Sequence, residues 1–222
     1  MKIVTYATHA EGTFEQLMSS GYDIKVLGWG TKWNGFMDKF NAIKEYLETQ
    51  SDDEIIVFLD GFDSKINRDL SDLERVFEAL DCKVLVSQED KSGLTNFLPH
   101  IVHKYITRRV FGTCKGSHTA NTGLYMGYAR ELKQLLGAIG GGTDDQREFN
   151  HVCSQFDFLR VDSQKIIFEN CPNESHVSHS FFVQFPASPN LNRTLRSFKE
   201  YSVYFIPEIM LVVIVLIWFL WR

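Results

Sequence analysis

The chain has few cysteines, and none of them are close together in the sequence. Its four cysteines, among 222 residues, are widely spaced and form no C-x-x-C pair. A zinc site built on cysteine pairs is therefore not expected, and a chain of this length does not need a disulfide framework to fold. We expect four ordinary thiols in a reducing compartment. The N-terminal stretch MKIVTYATHA also lacks the long apolar run of a secretory signal peptide.

An excess of basic residues is missing as well. The formal net charge is −5, and lysine and arginine are scattered along the chain, which argues against nucleic acid as a partner. Aromatic residues, in contrast, make up 14% of the sequence and include 18 phenylalanines. This content favours a well-packed globular domain over a disordered chain.

The longest apolar run lies at the C-terminus. The run Ile209–Trp221 is uninterrupted, and extending it back to Tyr201 gives 21 residues at the cost of including Pro207 and Glu208. A membrane span needs about 20 residues. The alternative is a buried helix, which would normally show polar positions at a 3.6-residue period. We predict a globular domain at 1–189, a linker at 190–205 and a single-pass membrane anchor at 206–222.

Basic residues flank this apolar run unevenly. Three precede it and one follows it: Arg193, Arg196, Lys199 and Arg222. The positive-inside rule then places the globular domain in the cytosol. This placement agrees with the absence of a signal peptide and with the expected unpaired cysteines.

Strand-like and helical patterns alternate over the first 90 residues. Short apolar runs, KIVTYAT, DIKVLG, IIVFLD and CKVLVSQ, are separated by amphipathic stretches such as MDKFNAIKEYLETQ and LSDLERVFEAL. This alternation predicts an α/β fold with a doubly wound, mostly parallel sheet and flanking helices. The stretch from Leu94 to His118 shows no clean period, and we expect loops and short helix there.

Polar residues follow several of the predicted strands. They form four segments: Asp60 and Asp63, Gln88 and Glu89, Asn121-Thr122-Gly123, and Asp144 and Asp145. In a doubly wound sheet the strand ends converge on one crevice, where ligands bind. Oxygen ligands of this kind suit Mg²⁺ or Mn²⁺, which usually bridge to substrate phosphates. The alternative is that these residues only cap helices and turns.

At these motifs the chain resembles a known family. The stretches VLGWGTKWNG, DKFNAIKEYL, IIVFLDGFDS, NTGLYMGYA and TDDQREFN are similar, in order and approximate spacing over residues 1–187, to the glycosyltransferase domain of procollagen lysyl hydroxylases and its viral relatives. The resemblance implies a GT-A fold, a UDP-sugar donor and Mn²⁺ (or Mg²⁺). It also implies a hydroxyl acceptor such as the hydroxylysine of collagen.

The resemblance also implies roles for individual residues. The implied metal pair is Asp60 and Asp63, with Asp60 also close to the donor ribose. Asn121 would line the sugar side, and Asp144 and Asp145 would line the acceptor side as candidate general bases. Two further residues would bind the donor, the nucleotide through Trp33 and the diphosphate through Lys39. Without the resemblance, Trp33 would be a packing residue and Lys39 a solvated lysine.

The third metal ligand is where the chain departs from the family. The family supplies a histidine late in the domain, whereas the matching stretch FFVQFPA places Gln184 there. Two histidines just upstream, His176 and His179, are alternatives. Gln184 and His179 are five residues apart and would point to opposite faces of a regular strand. We predict His179 as the ligand because imidazole nitrogen is the better donor.

Two functions are consistent with these features. The first is a metal-dependent glycosyltransferase that moves a hexose from a UDP-sugar to a hydroxyl acceptor. The second is a membrane-tethered UDP-sugar-binding module that keeps the GT-A scaffold without turnover. The amide at position 184 and the expected cytosolic placement motivate the second function.

Overall fold

The structure is a computed structural model that describes residues 1–91, 98–185, 199 and 201–220. It contains two compact units, Met1–Ala187 and Ser188–Arg222. The first unit holds a six-stranded sheet of order β2-β1-β3-β6-β5-β7 and a three-stranded sheet of order β4-β9-β8. The strands are β1 (Lys2–Tyr6), β2 (Ile24–Leu27), β3 (Ile55–Asp60), β4 (Ser64–Ile66), β5 (Val84–Gln88), β6 (Ala120–Tyr128), β7 (Leu159–Asp162), β8 (Phe168–Asn170) and β9 (Phe182–Gln184).

The large sheet is mostly parallel, as the alternation of strands and helices predicted. Strands β1, β2 and β3 run parallel to one another, and β5 runs parallel to β7. Strand β6 lies between β3 and β5 and is antiparallel to both. Because of this reversal, the start of β6 lies at the same sheet edge as the ends of β3 and β5, with Asn121 opposite Ser87.

Helices cover both faces of the large sheet. The helices of the first unit are α1 (Phe14–Met18), α2 (Met37–Glu48), α3 (Leu73–Glu78), α4 (His100–Phe111), α5 (Ala129–Gly137) and α6 (Asp145–Val152). Strand β3 shows how the core divides, because Ile56 and Phe58 join the cluster under α2 and α5, while Val57 and Leu59 join the opposite cluster with α3. Burial on both faces explains the continuous apolar run that ends in Asp60.

Two expectations fail in the region between β5 and α6. Helix α4 has 12 residues, although no helical period was recognised there. Its inward positions include His103 and Thr107, and these polar side chains hide the apolar period on which the sequence interpretation depended.

The expectation of four free thiols is also wrong. Cys114, after α4, and Cys153, after α6, form a disulfide with their Cα atoms 5.5 Å apart, while Cys82 and Cys171 are free. The pair is separated by 39 residues, and such a spacing carries no sign of closeness in space. One argument for a cytosolic domain is thereby lost, and that placement stays a prediction.

The second unit contains helix α7 (Ile206–Leu220), which has 15 residues. At 1.5 Å per residue it is about 22 Å long, shorter than the roughly 30 Å of a bilayer core. Within the described ranges, no helix combines the length and the apolar character needed to cross a membrane. The predicted membrane anchor is therefore not found there. Most of the predicted linker 190–205 lies outside the described residues.

Candidate functional site

The turn after β3 carries the two aspartates of the predicted metal pair. Strand β3 ends at Asp60, and the turn continues through Gly61 and Phe62 to Asp63. A Cβ atom at Gly61 would lie 2.8 Å from the backbone oxygen of Tyr6, so the turn can pass this close to β1 only with glycine. The tight turn holds both carboxylates at the C-terminal edge of the large sheet.

A buried lysine links the two acidic segments at this edge. Helix α2 places Lys39 Nζ 2.7 Å from Asp145 Oδ2 and 3.8 Å from Asp60 Oδ2. Burial by itself would lower the pKa of Lys39, but the carboxylates of Asp145 and Asp60 outweigh burial and raise that pKa. Thr122 Oγ1 donates a hydrogen bond to the same Asp145 oxygen. We call Lys39, Asp60, Asp145 and Thr122 the charged cluster.

Asp63 is joined to the small sheet. Strand β4 begins at Ser64, which pairs with Gln184 at the end of β9. Gln184 Nε2 donates a hydrogen bond to Asp63 Oδ1 at 2.9 Å. The other amide atom, Gln184 Oε1, is buried and has no hydrogen-bond partner among the described residues. Glycine at position 123 leaves the space for this amide, since a Cβ atom there would overlap it.

The two histidines considered as metal ligands lie elsewhere. The carbonyl of His179 accepts a hydrogen bond from Arg68, which follows β4 at the end away from Asp63, and the His179 side chain is exposed. His176 Nε2 lies 3.1 Å from Glu169 Oε1, an oxygen that also pairs with Lys165 at 3.1 Å. The geometry therefore favours Gln184 over the predicted His179 as the partner of Asp63.

An unpaired amide oxygen next to a carboxylate fits a divalent metal. A buried acceptor without a donor costs about 1–3 kcal/mol, and a ligand that contacts this oxygen would remove the cost. Mg²⁺ and Mn²⁺ accept carboxylate and amide oxygens. Asp63 and Gln184 thus offer oxygens of the kind that such an ion binds, and Asp60 lies in the same turn.

A third acidic group lies at the end of β5. Glu89 Oε2 accepts hydrogen bonds from Asn121 Nδ2 at 2.6 Å and from Gln146 Nε2 at 3.0 Å. Burial is the main reason that the pKa of Glu89 is raised to about 7. The two hydrogen bonds oppose the shift, and the charges of Asp90 and Asp144 add to it. Glu89 thus changes its charge near neutral pH.

The predicted site residues of β6 and α6 have distinct surroundings. Asn121 Oδ1 accepts from the backbone N–H of Gly123 at 2.8 Å, so both ends of this amide are engaged within the protein. Asp144 is the N-cap of α6 and accepts from the backbone N–H of Arg147 at 2.8 Å. Asp145 is already occupied by a cation and a hydroxyl donor, which leaves it poorly suited to take a proton from a substrate.

Trp33 lies at the same edge of the sheet. Its ring centroid is 5.9 Å from that of Tyr6 and 5.7 Å from that of Phe36. Tyr6 ends β1 and pairs in register with Asp60. With 39% of its surface exposed, the indole presents an accessible area near the end of β1, where Tyr6 pairs with Asp60.

The sequence indicated no role for two residues that hold the acidic side chains of this site. Thr122 and Gln146 each lie beside a predicted residue in a quoted motif, but nothing in the motif says which carboxylate they contact. Glu89 was flagged only as a polar residue after a strand. Its position directly after β5, which begins with the buried apolar run Val84–Val86, is similar to the position of Asp60 at the end of β3.

Comparisons with known proteins show the family of the chain. A family model described as "PLOD GT domain" matches residues 1–173. The procollagen-lysine,2-oxoglutarate 5-dioxygenase of Drosophila melanogaster is 28% identical in a 194-residue alignment, which covers 77% of this chain and 25% of that protein. The chain therefore spans about a quarter of the length of this relative.

Two solved structures are similar in fold. One is a glycosyltransferase involved in the glycosylation of the major capsid of PBCV-1, with a TM-score of 0.51 and 15% identity over 88% of this chain and 97% of that chain. The other is the galactosyltransferase LgtC in complex with donor and acceptor sugar analogs, with a TM-score of 0.50 and 12% identity over 92% and 95%. Both likenesses show the fold, which agrees with the predicted GT-A-like architecture.

Proposed function

The chain belongs to the PLOD GT domain family, which makes it a glycosyltransferase, and we propose that it transfers a hexose from a UDP-sugar to a hydroxyl acceptor with a divalent metal. The observation that supports the metal and the UDP-sugar in this proposal is the group of candidate metal ligands at the turn after β3. Asp63 accepts a hydrogen bond from Gln184, whose oxygen has no partner among the described residues, and Asp60 ends β3 three residues before Asp63. A collagen-like hydroxylysine is the acceptor implied by the resemblance.

Mn²⁺ or Mg²⁺ would be held by Asp60, Asp63 and Gln184 Oε1. We assign Gln184 to the third position in place of His179, because Gln184 contacts Asp63 and His179 does not lie at this end of β4. A bound metal supplies positive charge that stabilises the departing diphosphate. The exposed face of Trp33 would contact the nucleotide.

The charged cluster would orient the donor. Lys39 stays protonated between Asp145 and Asp60, so it adds a fixed positive charge beside the metal pair. Asp145 contacts Lys39 and is itself held by Thr122. Because Lys39 is in place before any ligand arrives, its side chain does not need to move when the diphosphate leaves. We assign Asp145 to this positioning role and not to proton transfer.

Glu89 is the group that we assign to accept the proton of the acceptor hydroxyl. A general base works best when its pKa lies near the working pH, and the pKa of Glu89 is raised to about 7. Asn121 and Gln146 hold one of its oxygens and so orient the other. Asp144 stays a candidate for the same role through its proximity to Glu89.

The proposal is tested by measuring UDP release from UDP-glucose and UDP-galactose with Mn²⁺ present or removed. Asp63→Asn keeps the size of the side chain and removes the charge, so we expect a loss of turnover of roughly 100- to 1,000-fold. Asp53→Asn, at an exposed position before β3, serves as the matched control and should retain full turnover. Equal rates in the wild type and Asp63→Asn would rule out the metal role.

A non-catalytic UDP-sugar-binding module is the second candidate. The observation in its favour is Gln184, because a neutral amide next to Asp63 binds a metal more weakly than a charged ligand does. Calorimetric titration of UDP with and without Mn²⁺ separates the two candidates. Metal-dependent UDP binding without any release from either UDP-sugar would favour the binding module.

A further inference from the structure

A cavity lies beside Glu89. It has a volume of about 120 Å³ and is bounded by the end of β5, the inner face of α4 and the segment before β6. We call it the α4 cavity. Glu89 is part of its wall and also accepts the hydrogen bonds of Asn121 and Gln146. The cavity therefore borders the candidate site directly.

A buried histidine in the wall has an unused ring nitrogen. His103 is 4% exposed, and its Nε2 atom has no hydrogen-bond partner among the described residues. Burial lowers the pKa of His103, while the charge of Asp90 works in the opposite direction. An unsatisfied buried polar atom costs about 1–3 kcal/mol, and a polar occupant of the cavity that contacts Nε2 would remove this cost.

The cavity is positively charged. Lys104, Arg108, His100 and His118 line it together with His103, against the acids Glu89 and Asp90. Asp90 is compensated by Lys165, whose Nζ lies 2.9 Å from its Oδ2 atom. Glu89, with a pKa of about 7, carries less than a full charge near neutrality. The permanent charges of Lys104 and Arg108 therefore dominate.

Arg108 restricts the chemistry of the occupant further. Its Nη2 atom donates to the carbonyl of Ser117 at 2.8 Å, which anchors the guanidinium. Its Nε atom is buried and lacks a partner among the described residues. A guanidinium N–H is satisfied only by an acceptor, and carboxylate and phosphate oxygens match arginine best.

We propose that the α4 cavity is an acceptor subsite that takes an anionic oxygen group, a carboxylate or a phosphate or sulfate ester, carried by the acceptor. The assignment to the acceptor depends on the proposed glycosyltransferase function, because Glu89 then joins the subsite to the reacting hydroxyl. Binding of the anion itself does not depend on that function.

The test is a titration of the full chain with sodium sulfate and, separately, with sodium glucuronate at constant ionic strength. The binding is followed through the imidazole NMR signals of His103, which are assigned with His103→Gln. We expect saturable shifts in the wild type, weakened roughly tenfold in Arg108→Gln and in Lys104→Gln, as the loss of one charge-assisted hydrogen bond predicts. Arg109→Gln, on the same helix but outside the cavity wall, is the control and should bind as the wild type does.

Three results would overturn the proposal. They are no saturable shift with either anion, equal binding by all three variants, or displacement of the anion by UDP with Mn²⁺, which would place it in the donor site. Stronger binding of sulfate supports an ester group, and stronger binding of glucuronate supports a carboxylate. UDP release by the wild type is measured in parallel, so a failure of the glycosyltransferase proposal is seen separately.

Discussion

Two groups at the same sheet edge differ in how their polar atoms are satisfied. In the charged cluster, Lys39 and Asp145 neutralise each other at 2.7 Å and Thr122 donates to the same carboxylate. In the Asp63–Gln184 pair, one hydrogen bond is made and the Gln184 oxygen is left without a partner among the described residues. The first group is complete without a ligand, and the second is not. We infer from this difference that Asp145 and Thr122 build the site and that Asp63 and Gln184 bind its contents, while Asp60 takes part in both groups.

The largest expected effect concerns the charged cluster. Lys39→Met keeps most of the side-chain volume and leaves Asp145, which is 5% exposed, as a buried charge without its cation. We expect the free energy of unfolding to fall by about 3–5 kcal/mol in urea titrations. Lys44→Met, on the same helix, should change it by less than about 0.5 kcal/mol.

The double variant Lys39→Met/Asp145→Asn sharpens this comparison. Because it removes the uncompensated charge as well, it should regain a large part of the lost stability. If Lys39→Met alone costs under about 1 kcal/mol, the charged cluster is not the preassembled element that we describe.

The next effect concerns the pH dependence of stability. Unfolded glutamate titrates near 4.5, whereas the pKa of Glu89 in the folded chain is about 7. Between these values the folded state binds more protons, so its stability decreases as pH rises from about 4.5 to about 7. At about 1.4 kcal/mol per pH unit the decrease from this group is at most roughly 3 kcal/mol.

Glu89→Gln should remove this decrease in stability, since an amide does not titrate. The amide oxygen can still accept hydrogen bonds from Asn121 and Gln146, so the local structure should be kept. Stability curves at pH 5 and pH 8 check the prediction, with Glu45→Gln on the exposed face of α2 as control. A slope that is the same in Glu89→Gln and the wild type would show that Glu89 titrates as an ordinary glutamate.

The smallest effect concerns the space around Gln184. A methyl group at Gly123 would overlap the Gln184 amide, and overpacking of this kind costs about 1–3 kcal/mol. Gly123→Ala should also weaken Mn²⁺ binding in the presence of UDP, because Gln184 must move away from Asp63. Gly137→Ala, at a helical position with nothing within 4 Å of the added atom, should stabilise the chain by about 0.5–1 kcal/mol. Unchanged Mn²⁺ affinity in Gly123→Ala would argue against Gln184 as a ligand.

Most of the large sheet could be predicted from local patterns. Strand β3 is a continuous apolar run, and helix α2 has apolar residues at a helical period. The burial of Ile56 and Phe58 on β3 and of Phe40 and Ile43 on α2 confirms both predictions. Helix α4 escaped prediction because the residues facing inward are polar. The same polarity is what makes α4 the wall of a charged cavity, so the pattern failed at a place where the chain departs from simple core packing.

The sequence indicated the acidic residues of the candidate site but not the side chains that contact them. Asp60, Asp63 and Asp145 were identified from their positions after strands and in motifs. The partners of these acids come from distant parts of the chain, such as Lys39 on α2 and Gln184 on β9. No spacing rule links residues separated in this way. For that reason the sequence could not decide between His179 and Gln184, since the pairing of β4 with β9 is what brings Gln184 to Asp63. The third metal ligand itself stays a prediction.

The sequence by itself determined the α/β class, the family and the set of acids that end the strands, because apolar period and motif order are local properties. The tertiary structure decided the rest. It reversed β6 between β3 and β5, it paired Cys114 with Cys153, and it placed Gln184 against Asp63. Each of these depends on the register and packing of segments far apart in the chain. Such contacts are set by the burial of whole faces, which no short stretch of residues encodes.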